Sequence, residues 1–508
     1  MKLKNVNSRV ARLALLLLLL AVSGHAGAAR AQEIAARLDK HLTDLAAQKS
    51  FGGAALVARD GKVLLSKGYG MANYEFDLPN TPQTKFRLGS ITKQFTAAAI
   101  MLLQEQGKLS VQDSICKYVE QCPAAWQPLT IHNLLTHTSG IPNFTGFPEY
   151  RQTNRLPSPI GETIKRFKEK PLEFAPGERF NYSNSGYILL GHIVEKVSGK
   201  SYEAFLQEQV FGPLKMTATG YDHPEQVLKN RASGYMSGGG GGLLNAPYID
   251  MTIPHAAGAL YSTVEDMYLW DQALHSGRLL SKKSLEAMLT PFKNGYGYGL
   301  GVGKQLGLNR IAHGGGIEGF NTFMVRFPDQ NATVIVLSNV EQSNTSSAAA
   351  RLARELLADK IVLPAIVKVD PAVLQSYAGR YEVDPVLMPN FILDITVVGD
   401  KLFIKPSHQS RHELAPVSAT EFFDFDEPGD ARFVFGRDVR GDIALTTRGM
   451  GPRPIPARKL QLPPPSLKGN TTFKLKGHAD AAVVALAGTF NNWNQSQTLC
   501  AREGDGWV

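Results

Sequence analysis

Ser90-Ile91-Thr92-Lys93 opens a segment whose apolar residues, Ile91, Phe95, Ala98, Ala99 and Leu102, recur at helical spacing until Gly107. Residues at i and i+3 share one face of a helix, so the serine hydroxyl and the lysine amine fall on the same side. A serine is a weak nucleophile until a neighbour takes its proton, and a desolvated amine can do so. The pairing predicts a lysine held dry beside an activated serine. The spacing alone is not decisive, because Ser114-Ile115-Cys116-Lys117 repeats it, and a serine at a helix start is commonly an N-cap. Context separates the copies: Cys116, Cys122 and Pro123 after Ser114 read as loop.

At 508 residues, 43% of them hydrophobic, the chain is long enough for roughly two to four domains with a large core. Lys2, Lys4, Arg9 and Arg12, the apolar run Leu13 to Val22 and the small residues ending Ala29-Arg30-Ala31 have the form of a secretory signal peptide over 1–31, with cleavage expected before Gln32. The run is too short for a membrane span, and no other stretch is long and apolar enough. A periplasmic or secreted protein, with no membrane span in the mature chain, is expected. The formal charge of +9 includes five leader cations of the 54 Lys and Arg, set against 45 acids, so the mature chain carries about +4 and nucleic acid is not implied. Cys116 and Cys122 are close in sequence and the compartment is oxidising, so a small-loop disulfide is expected. No second Cys or His pair stands near them, and neither a metal nor a cofactor is expected. Cys500 is left over.

Ile34, Leu38, Leu42 and Leu45 mark an amphipathic helix, and strand-like runs Ala54 to Ala58 and Lys62 to Ser66 flank the hairpin signal Asp60-Gly61. Thr322 to Phe327 and Thr333 to Leu337 read as two more strands, followed by a helix over Ala348 to Leu357. The economical fold is an α/β (α+β) domain over 33–365: an antiparallel sheet built from both ends, flanked by the terminal helices, with a helical insertion between. From 370 to 460 short alternating strands such as Phe391 to Val398 and Lys401 to Lys405 predict an all-β accessory domain without a helix. Pro463-Pro464-Pro465 marks a linker over 461–470, and 471–508 begins a further β unit.

Tyr182-Ser183-Asn184 is the chain's one Tyr-x-Asn and stands where a loop enters the apolar segment Tyr187 to Val197. A tyrosine, with a pKa of about 10, acts as a base at neutral pH only if a cation depresses it, and Lys93 would supply one. The asparagine amide can hold lysine and substrate together. His313-Gly314-Gly315-Gly316 falls between a strand region expected over Tyr296 to Gly303 and the strand near Thr322. Glycines there let backbone approach a ligand closely, and the N–H groups of Gly316 and Ser90 could hold an oxyanion.

With these residues in order, the chain resembles the serine β-lactamase and penicillin-binding-protein-like hydrolases, on the class C β-lactamase and D-Ala-D-Ala carboxypeptidase branch, a group in which Ser-x-x-Lys is a known motif. The resemblance rests on Ser90-Ile-Thr-Lys93, Leu134-Leu-Thr-His-Thr-Ser-Gly-Ile-Pro142, Tyr182-Ser-Asn184, Gly258-Ala-Leu-Tyr-Ser-Thr-Val-Glu-Asp266 and His313-Gly-Gly315. It implies Ser90 as acylated nucleophile, Lys93 as its activator, Tyr182 as general base, and Asn184, His313, Gly315 and Gly316 as substrate-binding. Thr136 to Gly140 is expected to be structural, and Ser262 or Thr263 with Glu265 or Asp266 to form a capping box.

One departure bears on substrate. Where β-lactamases of this branch carry Lys-Thr-Gly, this chain has His313-Gly314-Gly315, the His-x-Gly form that resembles D-aminopeptidases and related peptidases or esterases. Histidine, with a reference pKa of about 6.5, is mostly neutral at pH 7, so selection for carboxylate-bearing β-lactams should weaken. The expectation is an exported serine hydrolase that cleaves small ester, peptide or cell-wall-derived substrates through a Ser90 acyl-enzyme. The alternatives are a β-lactamase proper or a non-catalytic penicillin-binding sensor. The 370–460 domain resembles lipocalin-like β domains, and Leu486 to Trp493 with Asp505-Gly-Trp507 resembles the first half of a glycogen-binding module, which implies α-glucan stacking on Trp493.

Overall fold

The computed structural model describes residues 32–47 and most of 51–460, with breaks at 239–241, 306, 362–363, 386, 389–390, 408–410, 426–430 and 449–453, and isolated residues from 475 on. The signal-peptide reading over 1–31, the linker over 461–470 and Trp493 lie outside the described residues. The chain divides into two compact units near residue 363.

The first unit is built on a six-stranded antiparallel sheet in the order β3-β4-β5-β6-β1-β2, where β1 is Gly53–Arg59, β2 Lys62–Tyr69, β3 Gly301–Gln305, β4 Leu308–Ile317, β5 Phe320–Phe327 and β6 Ala332–Ser338. Both chain ends thus contribute to one sheet, with β1 pairing β6 from Gly53↔Ser338 to Arg59↔Ala332. The β1–β2 turn follows from Asp60 and Gly61, whose φ of 53° and 75° give the left-handed pair that a two-residue hairpin needs. Strand β1 is buried on both faces. Val57, Val334 and Val336 face α1 (32–47), through Leu38 and Leu42, and α5 (Thr345–Leu356), through Leu352 and Leu356. Leu56, Ile335 and Leu337 face the larger core, which holds α2 (Thr92–Glu105), α3 (Asn184–Ser198) and α4 (Val264–His275). There Phe95 and Trp270 pack with ring centroids 4.1 Å apart.

The strand expected over Tyr296 to Gly303 starts only at Gly301. Gly295 and Gly299 have φ of 67° and 72°, and a Cβ at Gly299 would stand 2.6 Å from the Lys93 carbonyl oxygen, so this stretch is a loop pressed against α2. Cys116 and Cys122 are joined in a disulfide, with Cα atoms 5.3 Å apart. Ser114 caps a short helical turn by accepting from the Cys116 N–H, and Lys117 pairs with Asp113 on the surface, so the second Ser-x-x-Lys is a capped loop.

The second unit is a closed eight-stranded antiparallel barrel, β7 (Gly379–Val383) through β14 (Ile455–Lys459) in chain order, with β7 pairing β14. Its core includes Tyr381, Phe422 and Phe435. A helix, α6 (Pro371–Tyr377), precedes it where none was expected. Asp370 caps that helix by accepting from the Ala372 N–H at 2.8 Å, and Pro371 occupies the first turn, where no N–H is needed. In the tail, Leu475–Lys476, Gly506–Trp507 and Arg502–Glu503 pair as three short strands.

One buried ion pair ties helix to sheet in the first unit. Asp271 of α4 is fully buried and accepts from Arg326 of β5 at 2.6 Å and from the Thr333 hydroxyl at 2.7 Å. Burial pushes the Asp271 carboxyl up from its ordinary value, and Arg326 pulls it back down. Arg326→Met leaves that carboxylate without its cation and is expected to destabilise the first unit by about 3–5 kcal/mol, read as an earlier urea transition in the fluorescence of Trp126 and Trp270. An unchanged midpoint contradicts this.

Candidate active site

The turn that carries Ser90 is fixed from two sides. Gly89 has φ of 53° and begins a single 3-10 turn, Gly89–Ile91, that runs into α2. Neither helix start shows a side-chain capping bond, so Ser90 is not an N-cap. The Leu88 N–H donates to the Leu260 carbonyl at 2.8 Å, and the Thr322 hydroxyl of β5 donates to the Leu88 carbonyl at 2.8 Å. A Cβ on Gly315 would stand 1.9 Å from that same Leu88 oxygen, and a Cβ on Gly89 2.9 Å from the Gly316 nitrogen. The two glycines let the serine turn sit directly against strand β4. Gly315 is therefore a close-packing residue that does not line the cleft, whereas Gly316 does.

Lys93 projects from the first turn of α2 and is completely buried. Its Nζ lies 3.0 Å from Ser90 Oγ, 2.9 Å from Asn184 Oδ1 and 2.7 Å from the Ala257 carbonyl. Burial holds its ammonium pKa well below the ordinary lysine value. Asn184 begins α3 and is itself pinned: its N–H donates to Asn143 Oδ1 at 3.0 Å, and Nδ2 donates to the Thr145 hydroxyl at 3.1 Å.

Tyr182 lies beside the pair, with Lys93 Nζ 4.9 Å from its ring centroid. Its hydroxyl is buried without a partner in hydrogen-bonding geometry, although Ser90 is close enough to favour the phenolate. Burial outweighs that and raises the phenol above its ordinary value. The structure corrects the expected electrostatics here: the cation meant to depress Tyr182 is itself desolvated, so both groups favour their neutral forms.

His313 donates or accepts on both nitrogens. Nε2 is 2.8 Å from the Tyr296 hydroxyl and Nδ1 is 2.6 Å from the Gly314 carbonyl, which assigns the proton to Nδ1 and the Tyr296 O–H to Nε2. Burial, with Lys93 nearby, lowers its pKa to about 4. It lines a separate cavity of about 370 Å³ with Tyr182 and Tyr296. Ser90, Asn184 and Gly316 line a cleft of about 440 Å³.

Two contributors were not legible as site residues. Ala257 offers only a backbone carbonyl, which carries no side-chain signal. His137, inside the segment expected to be structural, is fully buried and packs against Tyr182 with centroids 4.2 Å apart. Its Nδ1 accepts from the Ser183 N–H at 3.1 Å, fixing the Tyr182-Ser183-Asn184 backbone. At the Gly258 to Asp266 segment Thr263 does cap α4, but Asp266 turns away to accept from the Ala218 N–H and the Thr219 hydroxyl, so the reciprocal box is not made.

Known proteins resemble this chain. A family model described as Beta-lactamase matches residues 38–359. Penicillin-binding protein 4* of Bacillus subtilis (strain 168) is 30% identical over 445 residues, covering 81% of this chain and 97% of that protein. Among solved structures, the octameric penicillin-binding protein homologue from Pyrococcus abyssi superposes with a TM-score of 0.59 at 29% identity, over 83% of this chain and 99% of that one. The D-amino acid amidase from Ochrobactrum anthropi SV3, solved with L-phenylalanine, gives a TM-score of 0.56 at 25% identity, over 65% of this chain and 97% of that one. Among the described residues no helix is long and apolar enough to cross a membrane. The chain belongs to the beta-lactamase family, serine hydrolases that include penicillin-binding-protein-like members and amidases.

Proposed function

We propose that this protein is an exported ester or amide hydrolase that works through a Ser90 acyl-enzyme, with Lys93 and Tyr182 as its proton carriers. The observation that carries the reading is the environment of the Lys93 amine. A neutral amine has two hydrogens and one lone pair. Asn184 Oδ1 and the Ala257 carbonyl take the hydrogens, which leaves the lone pair to accept the Ser90 O–H. As Ser90 Oγ bonds to the substrate carbonyl carbon, its proton passes to Lys93, and the carbonyl oxygen becomes an oxyanion held by the N–H groups of Ser90 and Gly316. Lys93 is now a cation beside Tyr182, which makes the phenol more acidic. Tyr182 then gives its proton to the leaving group as the carbon to leaving-group bond breaks, and is refilled from Lys93. Water attacks the acyl-enzyme by the same route. The leader pattern and the Cys116–Cys122 bond support export.

Intact-mass measurement with a fluorophosphonate probe tests the nucleophile. One adduct is expected on the native chain and none on Ser90→Ala. Gly315→Ala, which pushes β4 off the Leu88 carbonyl, should slow labelling by about 100-fold by displacing the oxyanion donors. Labelling of Ser90→Ala at the native rate overturns the assignment.

The pH profile has a defined sign. Activity needs Lys93 neutral, so kcat/KM rises with pH through the Lys93 pKa, and this limb lies well below the ordinary lysine value. The falling limb, from loss of the Tyr182 proton, lies above the ordinary phenol value. A plateau across neutral pH is expected, and Lys93→Met should abolish the acid limb while lowering kcat by about 100- to 10,000-fold. A rising limb near the ordinary lysine pKa would contradict the neutral-amine reading.

Because His313 stays neutral above about pH 4, it supplies no cation for a substrate carboxylate. Nitrocefin is expected to be turned over at least about 100-fold less efficiently than p-nitrophenyl butyrate. Efficient nitrocefin hydrolysis with negligible ester hydrolysis would favour a β-lactamase proper.

A further inference from the structure

The cleft that opens from Ser90 carries charge of one sign. Among the described residues that line it, Tyr150 apart, the only ionisable side chains are Glu318 and Glu341, and no Lys, Arg or His lines it. Glu318 follows β4 directly and Glu341 follows β6, so the sheet itself holds both. Their hydrogen bonds come from neutral donors: Asn154 Nδ2 to Glu318 Oε1 at 3.0 Å, and the Gly319 N–H to Glu341 Oε2 at 3.1 Å. The cation beside this region, Arg87, is committed to Asp222 at 2.7 Å. Burial and the neighbouring Glu341 raise the Glu318 carboxyl above its ordinary value, against opposing contributions from its hydrogen bonds and Arg87, and a cation placed beside it would favour the carboxylate.

The side of the bond that this cleft receives follows from the proton route. Tyr182, the donor to the leaving group in the reading above, lines the other cavity with His313, whereas Asn184, Gly316 and Ser90 line the acidic one. The leaving group departs toward Tyr182, and the acyl portion lies in the acidic cleft. We propose that Glu318 and Glu341 are specificity-determining residues that select substrates whose acyl portion bears an ammonium group, as in amides, esters or short peptides with a free amine. The acids do not make the site, which Ser90 defines; they set the charge it accepts. An acyl group ending in a carboxylate is repelled by the same pair.

This inference rests on the hydrolase reading, and its test separates the two. The full-length protein is assayed on p-nitrophenyl esters matched in length and differing at one group: ε-aminocaproate (cationic), heptanoate (neutral) and hydrogen pimelate (anionic), with glycine against propionate as a shorter spacing. Each rate is divided by that of spontaneous hydrolysis. The order cationic over neutral over anionic is expected, with the cationic-to-neutral ratio of kcat/KM at least about tenfold at one of the spacings. In a Glu318→Gln/Glu341→Gln variant whose thermal unfolding matches the native chain that ratio should collapse toward one, while Glu318→Asp retains the preference. If the double variant unfolds early, Glu341→Gln alone is read in its place and should lower the ratio. Hydrolysis of no ester, or hydrolysis that survives Ser90→Ala, overturns the hydrolase reading. Ser90-dependent hydrolysis with no cationic preference at either spacing, or with a preference unchanged by the glutamine variants, overturns this inference alone.

Discussion

The site is organised by one buried amine. Lys93 Nζ is removed from water, and its three oxygen neighbours come from three chain segments: the serine turn, the start of α3 and the short helical turn His255–Gly258. An ammonium there would lose its hydration for a set of neutral partners, a cost of several kcal/mol. A neutral amine loses far less, and its two N–H groups and one lone pair can serve the same three oxygens. The helical insertion between β2 and β3 therefore has a specific task, which is to bring Asn184 and Ala257 onto an amine whose helix starts against the sheet.

The state of Tyr182 follows from that of Lys93. A neutral lysine with a neutral tyrosine and a lysine cation with a tyrosinate contain the same number of protons, so the two descriptions differ only in where one proton sits. Burial decides between them in the resting site. The Lys93 ammonium is disfavoured by desolvation and so is the Tyr182 phenolate. On the proposed mechanism, charge separation becomes favourable only once Ser90 has delivered its proton, which would couple the two carriers to the reaction itself.

Much of this was readable from the residues because the deciding signals were local. Periodicity around Ser90, the Asp60-Gly61 hairpin and the paired strands after Thr322 each specify an element by themselves, and the elements found are Thr92–Glu105, Gly53–Arg59 with Lys62–Tyr69, and Phe320–Phe327 with Ala332–Ser338. What escaped depends on tertiary contact. Gly315 reads as a ligand-side glycine until Leu88 is seen occupying the space of its missing Cβ. The Tyr296 stretch has strand-like composition, yet its left-handed glycines fold it onto α2. His137 looks like part of a structural segment, and its contact with Tyr182 joins positions 45 residues apart in sequence. The sign of the Tyr182 shift could not be read, since it depends on how deeply Tyr182 itself is buried.

The histidine of His313-Gly314-Gly315 and the glutamates of the cleft act in one direction. His313 is held neutral by burial, with Lys93 nearby, which together lower its pKa to about 4. Burial likewise disfavours the Lys93 ammonium. Among the described residues no Lys, Arg or His lines the cleft at Ser90, and Glu318 and Glu341 add negative charge on the acyl side. An oxyanion forming at the substrate carbonyl would then be stabilised by backbone N–H dipoles and by the proton that Ser90 has just given to Lys93. A substrate ammonium lying between the acids and the carbonyl offsets the glutamates' repulsion of that oxyanion. The same charge that selects the substrate therefore also makes its transition state less costly, whereas an anionic acyl group would be penalised in both binding and reaction.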